Sequence, residues 1–162
     1  MQPFIPEGLF PVSGTRPVTT NGGIVTSDFL SVKNAEYVWI VVHLAQTVGH
    51  ATVLAPQRAT AVAPTGNVAI ANAVPIWYGN VSTSTNALTA QTAAVSYTMG
   101  GSVTGDVYVI FGIDPANLGG SYDVISITST DSSQATNFIE VTYWVKPRYV
   151  QAVANNISYI VD

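Results

Sequence analysis

Residues 36–45 read EYVWIVVHLA, the longest nearly unbroken run of β-branched and aromatic side chains in the chain. At a rise of about 3.3 Å per residue, such a run spans roughly 30 Å as one strand. Strand alternation puts Tyr37, Trp39, Val41 and His43 on one side, and Val38, Ile40, Val42 and Leu44 on the other. Both sets are mostly apolar, so the strand is expected to be covered on both faces. A sandwich or barrel supplies that cover from within the domain; a partner supplies it from outside. The Val38, Ile40, Val42, Leu44 side is assigned to the domain core. The Tyr37, Trp39, Val41, His43 side fits a second core layer or a subunit contact.

Working outward from this run, the rest of the chain also punctuates into strands. Asn21-Gly22-Gly23 is a turn that leads into a strand over Ile24–Val32. After a break at Thr47-Val48-Gly49, a strand is expected over His50–Ala55, ended by Pro56. Residues 57–73 read either as two weak strands or as one short helix near residues 56–61. Pro75–Asn80, PIWYGN, is a compact aromatic strand; Val81–Ala90 is a loop or edge, and Thr92–Met99 alternates weakly. Val107–Ile113 is a second buried strand. Asp114–Gly120 is turn-rich with room for one helical turn. Tyr122–Thr130 alternates, Thr130–Asn137 is a polar loop, Phe138–Lys146 is a third strong strand, and Ile157–Val161 is a last short one. No long 3.6-residue apolar period and no internal repeat interrupts the pattern. The expected fold class is therefore all-β: a compact β-sandwich or partly open barrel of roughly 8–10 short antiparallel strands.

Residues 1–20 carry Pro3, Pro6, Pro11 and Pro17, which favour extended backbone over helix. Phe4, Ile5, Leu9, Phe10 and Val12 lie on that track, more apolar residues than a disordered tail carries. The expected organisation is an extended Pro-rich N-terminal arm over 1–20, lying along its own domain or a neighbour, and a single β domain over 21–162.

Only 9% of residues are charged, against about 25% in an ordinary soluble domain. A 17.0 kDa monomer exposes roughly 7,700 Å² by the usual scaling. Its nine acidic and five basic residues then amount to one charge per about 550 Å². Such a surface is either a neutral, Thr-rich β surface or one partly buried in an assembly. With a net charge of −4 and only Arg16, Lys33, Arg58, Lys146 and Arg148 as cations, no nucleic-acid partner is expected. No run approaches the ~18 apolar residues of a membrane span, so no membrane partner is expected. MQPFIPEGLFP lacks the basic start of a secretory signal. The chain has no cysteine, which excludes disulfides, thiolate nucleophiles and Cys-based metal sites.

No catalytic constellation emerges. His43 and His50, the only histidines, would need a third ligand to hold zinc, and nothing in the sequence fixes one. Asp114, Asp123 and Asp131 lie in turn-rich connections without a calcium-loop pattern, so capping roles are expected. Residues 128–133 hold several hydroxyls but no G-x-S-x-G. The expectation is a non-enzyme with no catalytic, cofactor-binding or metal site and no cofactor. The aromatic pairs Trp77–Tyr78 and Tyr143–Trp144 suit core packing, interface anchoring or stacking on a sugar ring. The interface candidates are Phe4, Ile5, Leu9, Phe10, Trp39, His43, Trp77, Tyr78, Tyr143, Trp144 and Arg148.

Several blocks carry a family resemblance: VGHA at 48–51, PQRAT at 56–60, PIWYGN at 75–80, IDPANL at 113–118, SSQATNF at 132–138 and PRYVQ at 147–151. Together they resemble small structural proteins of tailed bacteriophages and prophages, over about 115 residues from Tyr37 to Gln151. The resemblance implies a virion structural protein, most closely a capsid decoration (cement, head auxiliary) protein. Such proteins are compact and β-rich, and often sit as trimers where capsomers meet. The implied partners are the major capsid protein and copies of the chain itself, as a homotrimer. The implied location is the capsid exterior, after synthesis in the host bacterial cytoplasm. The alternatives are another virion component (tail, adaptor or fibre-associated) and a carbohydrate-binding β-sandwich module using Trp77 and Tyr78.

Overall fold

The computed structural model describes residues 8–63, 66–81 and 86–149. In chain order the strands are β1 (Phe10–Thr19), β2 (Val25–Thr26), β3 (Leu30–Ser31), β4 (Ala35–Gln46), β5 (Val53–Ala59), β6 (Val68–Ala69), β7 (Val74–Val81), β8 (Thr89–Ala94), β9 (Tyr97–Thr98), β10 (Gly105–Ile113), β11 (Val124–Ser129) and β12 (Phe138–Pro147). One 3₁₀ turn, Pro115–Asn117, follows β10. Every pairing is antiparallel. The first sheet runs β1-β12-β4-β10-β7-β8; the second runs β2-β11-β5-β6, with β3 also on β11 and β9 also on β5. The two sheets pack on each other as a β-sandwich, which decides between the sandwich and the barrel.

The 36–45 run lies in β4, flanked by β12 and β10, and from Val38 onward it is paired along both edges. Its Val38, Ile40, Val42 and Leu44 side chains are completely buried, as assigned. They meet Val107, Val109 and Phe111 of β10, Val141 and Tyr143 of β12, and Leu54, Ile125 and Ile127 of the second sheet in one core. Full burial of an aliphatic side chain of this kind stabilises by about 1.5–3 kcal/mol before conformational entropy is counted. This layer therefore dominates the fold.

Three sequence expectations change. Phe10–Thr19, expected in an arm, is the edge strand β1, paired with β12 from Phe10↔Val145 to Thr19↔Phe138, with register shifts between Ser13 and Thr15 and between Thr15 and Val18. Its Phe10 and Val12 belong to the core, so a boundary after Thr20 separates nothing in the structure. Its prolines are tolerated because an edge strand needs ladder bonds on one side only. Phe4 and Ile5, and the strand expected over Ile157–Val161, lie outside the described residues.

Pro56 does not end a strand; β5 runs through it. The Pro56 carbonyl accepts from the Ile70 N–H at 3.2 Å. The missing N–H points to that same side, between the two-residue pairings with β6 and β9. No ladder bond is lost there. No helix forms near residues 56–61.

The strand expected over Ile24–Val32 is broken at Ser27 into β2 and β3, and a buried network explains the break. The Ser27 N–H donates to the Ile127 carbonyl at 2.9 Å, and the Ser27 hydroxyl accepts the Ile127 N–H at 2.8 Å. That hydroxyl also bonds the Tyr143 hydroxyl at 2.6 Å, and Tyr143 donates to the Asp28 carbonyl at 2.8 Å. Tyr143 of the first sheet is thereby tied to the β2–β3 link and β11 of the second.

Candidate functional site

Alternation along β4 fixes two unlike faces. The inner one is the core; the outer one lies on the exterior of the first sheet. The register aligns the outer side chains of neighbouring strands into rows. Trp144 of β12 lies opposite Trp39 of β4, which lies opposite Gly112 of β10. One row along, Thr142, Val41, Ile110 and Trp77 are aligned across four strands. In the next row Glu140, His43 and Tyr108 are aligned. Trp39, Val41, His43, Trp77, Ile110 and Trp144 are half-buried, while Tyr108 and Phe138 are 37% and 43% exposed. An aromatic-rich patch thus runs across β12, β4, β10 and β7 on the outside of the domain. Neither sheet of the sandwich covers it.

His43 sits within this patch between two carboxylates. Its Nε2 is 3.0 Å from Asp106 Oδ1, its Nδ1 is 3.9 Å from Glu140 Oε2, and its ring stacks on Tyr108 at 4.7 Å. This arrangement orients the imidazole on the surface. Among the described residues, no group of three or more His, Asp or Glu side chains converges to hold a metal ion.

At the other end of the patch lies an open cleft of about 570 Å³, lined by Glu36, Tyr37, Trp39, Trp77, Asp114 and Lys146. Gly112 lies buried beneath two of its walls. A Cβ there would collide with the Tyr37 hydroxyl and come 3.3 Å from the Trp77 ring. Both rings therefore lean over a bare stretch of β10. Tyr37 and Trp39 are 4.7 Å apart between centroids, with planes inclined at 55°. Lys146 Nζ donates to Glu36 Oε1 at 2.9 Å on the rim. Asp114 is held as the cap of the 3₁₀ turn, accepting the Ala116 N–H at 2.9 Å. Burial, and then the Asp114 charge, push the Tyr37 phenol above its ordinary value, so it stays protonated as a donor.

The structure sorts the interface candidates sharply. Trp39, His43, Trp77 and Trp144 share the outer face. Tyr143 and Phe10 do not belong to any surface: Tyr143 is fully buried and Phe10 is 5% exposed. Tyr78 turns inward from its neighbour Trp77, packs against the core, and meets Tyr97 at 5.7 Å. Adjacent residues of a strand point to opposite faces, so neither Trp77–Tyr78 nor Tyr143–Trp144 forms one platform. Leu9 is half-buried. Arg148 is exposed, but its Nε donates to the Ala35 carbonyl at 3.2 Å and its N–H to the Asn34 carbonyl at 2.9 Å. Its hydrogen bonds thus anchor the end of β12. Tyr37, Tyr108 and Phe138 join the outer face without having been singled out as candidates. The alternation that placed Tyr37 beside Trp39 was visible in the sequence; the neighbouring strands and their register were not.

Searches against family models, curated proteins and solved structures return no match to this chain.

Proposed function

We propose that this chain is a structural virion protein of the decoration type, binding the outer surface of a phage capsid and associating with copies of itself. The observation that carries the proposal is the half-buried aromatic patch on the outer face of the first sheet. Trp and Tyr concentrate binding energy when a partner excludes water from them. A patch of this kind on a lone domain leaves apolar surface in water, which marks an interaction site. Low overall charge and the sequence blocks that resemble phage structural proteins favour a virion lattice as that partner. The role is mechanical: the sandwich braces a subunit boundary, and no bond is made or broken.

The test uses capsids lacking the protein. Wild type should co-sediment with them. The double substitution Trp39→Ala, Trp144→Ala should lose most of that binding while its circular dichroism stays that of the wild type. Undiminished binding by the folded double variant would exclude the outer face as the docking surface.

A further inference from the structure

We infer that the cleft between Tyr37, Trp39 and Trp77 is a binding site for a neutral saccharide. Its volume of about 570 Å³ falls within the roughly 300–1,000 Å³ of small-ligand sites, which combine aromatic walls with a few placed polar groups. The aromatic walls suit the C–H faces of a sugar ring. The polar rim decides the ligand class. Lys146 and Glu36 pair at 2.9 Å, so the rim offers an ammonium donor and carboxylate acceptors side by side, with Asp114 left as its one uncompensated charge. Hydroxyl groups, each both donor and acceptor, match such a mixed rim. A quaternary ammonium would gain from the aromatic walls but can neither donate a hydrogen bond to Glu36 and Asp114 nor accept one from Lys146, and an anion would face the two carboxylates.

The cleft is also preformed. The absence of a Cβ at Gly112 lets Tyr37 and Trp77 lean over β10. Asp114 is fixed by its capping bond to Ala116, so little has to be ordered on binding. The cleft shares Trp39 with the docking face proposed above, so it is tested on the isolated protein with a small ligand, and failure there leaves the capsid co-sedimentation result unaffected.

The experiment is a titration of the ¹⁵N-labelled full chain with cellohexaose, maltohexaose and chitohexaose in turn, following the indole N–H signals of the three tryptophans. At least one saccharide should move the Trp39 and Trp77 signals saturably. Trp77→Ala should abolish the response. Lys146→Met, a substitution at a half-exposed position, should weaken binding at least tenfold with the spectrum otherwise retained. No saturable movement with any of the three saccharides would overturn the inference. So would movement caused by choline but not by sugar, or sugar binding unchanged in folded Lys146→Met.

Discussion

Tyr143 shows how one hydroxyl joins the two sheets. Its ring packs so closely under β1 that a Cβ on Gly14 would lie 2.6 Å from it, and its hydroxyl is shared between Ser27 and Asp28. Tyr143→Phe removes two buried hydrogen bonds, to the Ser27 hydroxyl and to the Asp28 carbonyl. It should lower the unfolding free energy by about 1–3 kcal/mol, measured by urea denaturation. The same site sets a pH dependence. Burial raises the Tyr143 phenol far above its ordinary value near 10; the Ser27 bond pulls it back and the Asp28 charge adds to the rise. The native state thus favours the protonated form. That stability is complete below pH 10 and is lost as pH rises from there toward the native value. Thermal melts should show a steeper alkaline loss in wild type than in Tyr143→Phe, and parallel alkaline losses would contradict the assignment. At this scale the sequence was only partly legible. Period two alone separates Tyr143 from Trp144, but it does not say which of the two faces inward.

At the scale of elements, β4 was legible nearly end to end, because β-branched residues on both sides of a long strand leave little else for it to be. Its faces are expected to respond differently to substitution. Leu44→Ala removes a fully buried side chain and should cost about 2–5 kcal/mol. Trp39→Ala trims the outer face and should cost roughly 1 kcal/mol, while leaving the fold intact. Chemical denaturation of both variants checks the contrast. β1 was the least legible strand, since its prolines argue against a central strand and its partner β12 lies more than a hundred residues away. With Phe10 and Val12 in the core and β12 on its inner edge, deletion of residues 1–20 should unfold or strongly destabilise the domain. A truncated protein with wild-type melting behaviour would refute the placement of β1. The breaks at Ser27 and the passage through Pro56 were hidden for a related reason, because both depend on partners from distant parts of the chain.

At the scale of the whole molecule, charge is unevenly distributed. No Asp, Glu, Lys or Arg lies between Arg58 and Asp106, so β6, β7, β8 and β9 form a flank without ionised side chains. The outer face adds aromatic rings with a few paired charges. Association through such surfaces rests on apolar burial rather than long-range attraction. Self-association, proposed as a homotrimer, should therefore vary little between low and physiological salt in analytical ultracentrifugation. A steep loss with salt would point to charge-driven contacts instead. The all-β class was legible from strand punctuation and the absence of helical periodicity. The outer face became visible only once β12, β10 and β7 were placed beside β4. The most direct measurement of the central claim is electron cryo-microscopy of the particle with which the protein co-purifies. The sandwich should lie on the outside of the shell, with Trp39 and Trp144 turned against the major capsid protein. Density in a tail or adaptor ring, or an outer face of the first sheet turned to solvent on the shell, would contradict it.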